Sequence, residues 1–212
     1  QAITDFGSAT GAMASIRSSQ QVIRQLINGY PVVIAGLNTP QQTIISGEVD
    51  AIISIINKAQ AQGLKAVTLS VSHAFHSDLV SAAAEPLAKH LVTETIQPLQ
   101  RKVISTVTGS LLTAETDVRS LLYQQVTAPV RFLEAITQAS QEVDLWIEVG
   151  PGRVLSRLAK DCVETPAIAL DASGPSLQGL LQAVGAAFVM GSSIDPNALF
   201  SDRFTRPFNL DW

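Results

Sequence analysis

Cysteine is nearly absent: Cys162 stands alone in 212 residues, so no disulfide can form within the chain, and a reducing, cytoplasmic setting is expected. Histidine is scarce too, with three in all. His73 and His76 could offer two metal ligands, but no third partner stands near them in sequence, so no metal site is expected. Charged residues make up 15% of the chain, and 14 Lys and Arg against 18 Asp and Glu leave a net charge of −4. There is no basic stripe, which argues against nucleic acid as a partner. No apolar run approaches the ~18 residues that span a bilayer, which argues against a membrane protein. Gln1 opens without a methionine or a charged leader, so no signal peptide is read.

Apolar residues, by contrast, are plentiful. They fill 46% of positions, and the mean hydropathy is +0.26. Either a buried parallel sheet or a broad surface facing another piece of protein would account for that excess.

Periodicity divides the chain at about residue 72. Before it, GAMASIR (11–17) alternates as a strand, and Ser19 can cap a helix running to about Asn28, closed by Gly29. PVVIAGL (31–37) is a β-branched run, Asn38-Thr39-Pro40 a turn, and TIIS (43–46) a strand. Val49 to Gln62 has helical apolar spacing and stops at Gly63, and Leu64 to Val71 reads as a strand. Strand, helix, strand, strand, helix, strand is the ferredoxin-like split βαβ plan, which assigns 11–72 to a small subdomain. Beyond it, the spacing predicts a long helix over 79–95, bent at Pro86, and a strand over 102–108. Helices over 118–126 and 130–140 follow, split at Pro129. Strands over 143–149 and 167–170 and helices over 154–160 and 176–190 complete the pattern. Alternation of this kind predicts one half of a layered α/β domain over 73–190. Residues 191–212 mix Pro, Asp, Arg and aromatics without period and read as a surface linker.

Chemistry concentrates in Val71-Ser72-His73-Ala74-Phe75-His76-Ser77. A histidine between a strand end and a helix start can be held rigidly, and its pKa near neutrality suits a general base. A pair of surface or capping histidines would carry the same residues. Gly150-Pro151-Gly152 before a helix could hold an anion, though a structural turn is the favoured reading. Arg131 and Arg153 read as solvated or paired.

VSHAFHS resembles the signature of acyltransferase domains in modular type I polyketide synthases. Other blocks agree in the same order: Gly11-Ala12-Met13-Ala14; Ala35-Gly36-Leu37-Asn38-Thr39-Pro40 followed by Ile45-Ser46-Gly47; Tyr123 to Phe132, ending in P-V-R-F; and Ile147-Glu148-Val149-Gly150-Pro151-Gly152. The resemblance implies an α/β fold, with a ferredoxin-like subdomain followed by the C-terminal half of an α/β-hydrolase-like acyltransferase subdomain. It also implies ping-pong transfer of a malonyl-type group from malonyl-CoA, through a serine in a G-H-S-x-G elbow, to the phosphopantetheine thiol of an acyl carrier protein. No covalently bound cofactor is implied.

Within that scheme His76 matches the base that activates the serine, and Gln125 matches the residue whose main-chain carbonyl orients it. His73 matches a position that reports substrate, and Asn38 one lining the channel. HAFH is the malonyl-type form of the motif, in which Phe75 fills the space a 2-methyl branch would need. The implied partners are the carrier protein, a neighbouring ketosynthase domain, and an N-terminal half of the same domain. Asp195 to Phe200, with Arg203 and Arg206-Pro207-Phe208, resembles the linker that follows such domains. No G-x-S-x-G occurs anywhere in these residues. The family's glutamine loop and carboxylate-gripping arginine are unmatched as well. The expectation is therefore a C-terminal portion that is inactive alone. The alternative is a non-catalytic module that docks a carrier protein, or a pseudo-acyltransferase.

Overall fold

The computed structural model describes residues 11–173, 176–195, 197–199 and 201. Of the linker expected over 191–212, Pro196, Phe200 and 202–212 lie outside the described residues. The described residues form two compact units: those within 11–142 and 158–164, and those within 143–157 and 165–201.

The first unit begins with β1 (Gly11–Ile16), α1 (Gln20–Leu26), β2 (Val32–Thr39), β3 (Gln42–Glu48), α2 (Val49–Ala61) and β4 (Ala66–Thr68). The four strands form one sheet in the order β2-β3-β1-β4, each neighbour antiparallel. β3 is thus inserted between β1 and β2. One face of the sheet packs on the helices. Ile52, Ile55, Ile56 and Ala59 recur at helical spacing on α2 and bury against Ala14, Ile16, Ile45 and Ala66, with Ile23 and Leu26 of α1 closing the cluster. Full burial of one such isoleucine contributes about 1.5–3 kcal/mol.

The other face carries Met13, Ala35 and Ile44, which pack with Leu69 and Phe75. It is therefore roofed by the segment that follows β4. Gly11 is required for that roof, since a Cβ there would lie 2.4 Å from the Cβ of Ala74.

Several elements depart from expectation. Ser19 occupies the N-cap of α1 but its side chain makes no capping hydrogen bond. β2 runs through Thr39, so Asn38 lies in the strand, and the hairpin loop is Pro40-Gln41. The predicted strand over 64–71 shrinks to three residues. The long helix over 79–95 divides into a 3-10 turn (Asp78–Ala83) and α3 (Ala84–Thr93). Pro86 falls in the first turn of α3, where a missing N–H costs no helical hydrogen bond. The strand over 102–108 becomes a short hairpin, β5 (Ile104–Ser105) with β6 (Ser110–Leu111). Gly109, with φ +73°, permits its turn. α4 (Val118–Gln124) and α5 (Phe132–Ala139) follow as expected.

The second unit contains β7 (Trp146–Glu148), β8 (Ala167–Ala169) and α7 (Gln178–Val189). α6 (Val154–Lys160) precedes β8. β7 and β8 are parallel. α7 packs on β8 through Gly179, where a Cβ would lie 1.8 Å from the Leu170 carbonyl oxygen.

Candidate active site

His76 sits in the turn between β4 and the 3-10 helix, half-buried, with φ +59°. A side chain in the left-handed region costs roughly 1–2 kcal/mol, so the surrounding hydrogen bonds must hold it there. Phe75 N–H donates to the His73 carbonyl at 3.0 Å, and the buried Ser77 hydroxyl donates to the Ala74 carbonyl at 2.6 Å.

The Nδ1 of His76 lies 2.8 Å from the carbonyl oxygen of Ala128. A carbonyl can only accept, so Nδ1 donates to it, and in the neutral imidazole Nε2 is the nitrogen left with a lone pair. That tautomer is the one a general base needs, and a carbonyl so placed can orient the ring as an aspartate does in a Ser-His-Asp triad. The expected orienting carbonyl was that of Gln125; the structure places it three residues later. Gln125 is the C-cap of α4 in helical conformation. The chain keeps turning beyond it, with Thr127 N–H and Ala128 N–H both donating to the Gln124 carbonyl. Pro129 disfavours the helical region at Ala128, and the Ala128 carbonyl meets His76 instead of continuing the helix.

The following residues fix that carbonyl. Val130 N–H donates to the Ala35 carbonyl at 2.9 Å, and its own carbonyl accepts from Leu37 N–H at 2.8 Å. Arg131 N–H donates to the Thr106 carbonyl at 2.7 Å. β2 is prepared for this docking by a bulge. Ile34 pairs with Ile45 and Gly36 with Ile44, which leaves Ala35 without a β3 partner. A second bulge, between Leu37 and Thr39, makes Asn38 the extra residue. Asn38 is half-buried, and its main-chain carbonyl accepts from the Cys162 thiol at 3.3 Å. Burial, with the Asp161 charge adding to it, pushes the Cys162 thiol up to about 11. The thiol stays protonated near neutrality and serves as a donor, not a nucleophile.

His73 is buried, 9% exposed, with Nδ1 2.9 Å from the Ser72 hydroxyl. Its ring lies 5.8 Å from that of Phe75 at an interplanar angle of 57°. Phe75 is half-buried and packs on the Met13, Ala35 and Ile44 cluster. His73, Phe75, His76 and the Ala128 carbonyl thus share one locality at the β2 bulge. Gln125 contributes helix termination instead of the orienting carbonyl. The residue missed in sequence was Ala128, and its signal was the proline after it.

In the second unit, the Glu148-to-Gly152 turn is closed by the chain's own carboxylates. Glu148 accepts from Leu155 N–H at 3.0 Å and Ser156 N–H at 2.8 Å, and Asp171 accepts from Gly152 N–H at 2.9 Å. Burial is the largest single influence on Glu148 and raises it. The combined hydrogen bonds from Ser156, Leu155 and Val154 outweigh burial and hold the carboxyl below its usual range. The anion position at the start of α6 is therefore occupied from within, as the structural-turn reading requires. Arg153 pairs with Asp171 at 3.1 Å and, in the first unit, Arg131 with Glu134 at 3.2 Å. Among the described residues no group of three or more His, Cys, Asp or Glu could hold a metal ion. No described helix is long and apolar enough to cross a membrane.

A half-buried histidine is thus oriented by a main-chain carbonyl within an α/β fold. Residues 3–192 match the acyl transferase domain family, and the chain belongs to it. It is 37% identical over 158 residues to the malonyl CoA-acyl carrier protein transacylase of Bacillus subtilis, covering 71% of this chain and 50% of that protein. It is 30% identical over 213 residues to the polyketide synthase GfsA of Streptomyces halstedii, covering 95% of this chain and 3% of that protein. Among solved structures it resembles the acyltransferase domain of the iterative polyketide synthase in enediyne biosynthesis. The TM-score there is 0.89 with 34% identity, over 95% of this chain and 53% of that one. A malonyl-transacylase solved with a type II polyketide synthase acyl-carrier protein gives a TM-score of 0.76 with 30% identity, over 87% of this chain and 62% of that one. The chain therefore spans half or less of the curated relatives named here.

Proposed function

We propose that these residues are the base-bearing portion of a malonyl-type acyltransferase domain of a polyketide synthase. Such a domain loads malonyl groups from malonyl-CoA onto the phosphopantetheine thiol of an acyl carrier protein. The observation that carries the reading is the His76–Ala128 contact, which in the neutral imidazole leaves Nε2 free to accept a serine proton. The order of strands and helices in 11–68 supports a ferredoxin-like small subdomain. No G-x-S-x-G is present in these 212 residues, so the serine must come from residues outside them, and 1–212 alone are inactive. A malonyl-transacylase and a polyketide synthase among the relatives support the acyl group and the synthase setting.

The test is self-acylation by radiolabelled malonyl-CoA in a domain completed with a serine-bearing segment. His76→Ala should lower the rate about 10²–10⁴-fold, with His73→Ala costing far less. Equal losses would show that the wrong histidine has been assigned. A stable acyl adduct on residues 1–212 alone would sink the claim that the nucleophile lies elsewhere.

A further inference from the structure

Ala35 serves two structures at once. Its main-chain carbonyl accepts from Val130 N–H at 2.9 Å, and so anchors the segment whose Ala128 carbonyl meets His76. Its side chain, 1% exposed, belongs with Met13 and Ile44 to the cluster against which Phe75 packs. The bulge accounts for the double use. Ile34 and Gly36 pair with Ile45 and Ile44 on either side, so Ala35 is fixed by its neighbours while its own carbonyl is left for Val130.

That cluster has one soft member. Met13 and Ile44 are buried on β1 and β3, which pair from Gly11 with Glu48 to Ile16 with Thr43. Leu69 is tied to the same sheet, its N–H donating to the Met13 carbonyl at 2.9 Å. Phe75 stands on a turn instead. Its N–H donates within that turn, to the His73 carbonyl, and its side chain is half-buried. A close-packed interior passes on a change of even one methyl to whatever can move. Here the Phe75 ring can move, so it takes up any change in the volume of the floor.

We propose that this floor, with Ala35 in it, is a determinant of acyl-group selectivity: the volume at position 35 sets how far the Phe75 ring stands into the space beside the substrate's α-carbon. The proposal rests on the functional reading above, in which that ring excludes a 2-methyl branch. Ala35 acts through Phe75 and is a positioning residue. A smaller side chain there lets the ring sink and admits the branch, and a larger one lifts the ring and shuts the branch out.

Two readouts test it. In the 212-residue chain with labelled phenylalanine, a soluble gadolinium chelate broadens ring signals according to their exposure, and the Phe75 signal is the one lost in Phe75→Leu. Ala35→Gly should weaken the broadening of that signal, and Ala35→Val should strengthen it. In a completed domain, malonyl-CoA and methylmalonyl-CoA compete in one tube. The methylmalonyl-to-malonyl ratio of kcat/KM should rise about threefold in Ala35→Gly and fall about threefold in Ala35→Val, less than the roughly 10-fold or more of a methyl in direct contact, because the effect passes through the ring. Ile44→Val removes a methyl from another point of the floor and should move both readouts as Ala35→Gly does. It keeps the test decisive if Ala35→Val does not fold. In a Phe75→Ser background the Ala35 variants should leave the ratio unchanged. A ring signal indifferent to Ala35→Gly and Ile44→Val, a ratio that does not follow the ring, or a shift that persists without the ring would each overturn the proposal. A ring that responds in a chain whose completed domain shows no His76-dependent transfer would overturn the functional reading, and the selectivity role with it, while the coupling of ring to floor would stand.

Discussion

At the residue scale, the conformation of His76 matters as much as its chemistry. At φ +59° only glycine is free of strain. His76→Ala should therefore remove the base yet keep the backbone strain, whereas His76→Gly removes both. Urea unfolding should find the glycine variant more stable than the alanine variant by about 1 kcal/mol. Equal midpoints would mean that the turn relaxes once the imidazole is gone. Phe75 poses a different question, because its ring packs on Met13, Ala35 and Ile44 while remaining half-exposed. In a completed domain malonyl transfer should exceed methylmalonyl transfer, and Phe75→Ser should narrow the gap about 10-fold, since a methyl-sized change is worth roughly 1–3 kcal/mol. Competition between both substrates in one tube reads the ratio of kcat/KM values. An unchanged ratio would make the ring a packing residue only.

At the scale of elements, two short segments illustrate what composition can and cannot reveal. α6 was legible: Val154 to Lys160 was read from spacing and found with those bounds. Its anchor was not, because a carboxylate six residues upstream returns to the helix only through the glycine turn. Glu148→Ala should cost about 1 kcal/mol, the usual value of a lost N-terminal cap. The sign of the pH effect follows from the lowered carboxyl. Stability from Glu148 is complete above its unfolded value of about 4.3 and is lost as pH falls through the lower folded value. Glu148→Gln should flatten the stability profile below about pH 4.3 and leave its slope near pH 7 unchanged; a profile identical to wild type would show that the carboxylate charge contributes nothing there.

The 128–131 segment is the harder case. The sequence marks a break at Pro129, and both flanking helices were found near their expected bounds. That the break would lie along β2 depends on the bulge at Ala35, and bulges leave no periodicity signal because they add one residue to an otherwise regular strand. Asn38 was misplaced for a related reason. Asn-Thr-Pro is turn chemistry locally, but pairing with β3 extends the strand through Thr39, and the bulge absorbs the asparagine. The order of the first six elements was readable because each helix buries a single apolar stripe. The two-residue strands β5 and β6 are too short for any period to show.

At the scale of the whole molecule, apolar content divides unequally between exposure and burial. In the first unit a twelve-residue cluster is buried between the four-stranded sheet and its helices. In the second, Ala183 is the only fully buried apolar residue among those described. The high hydropathy noted at the outset thus has two sources, a true core in one unit and uncovered apolar surface in the other. Resistance to local opening follows buried contacts. In the isolated chain, amides of β1, β3 and α2 should therefore exchange only by the largest opening the molecule shows, while those of β7, β8 and α7 should exchange at least 100-fold faster. A gap of that size needs only about 2.7 kcal/mol between the two openings, which the burial of one or two isoleucines in the first unit supplies. Ile52→Ala, which removes a fully buried side chain, should cost about 2–5 kcal/mol. It should accelerate exchange in β1 and β3 and leave β7 and α7 unaltered. Equal protection in both regions, or a response of β7 to Ile52→Ala, would mean that the two units open together and that the second draws its stability from the first.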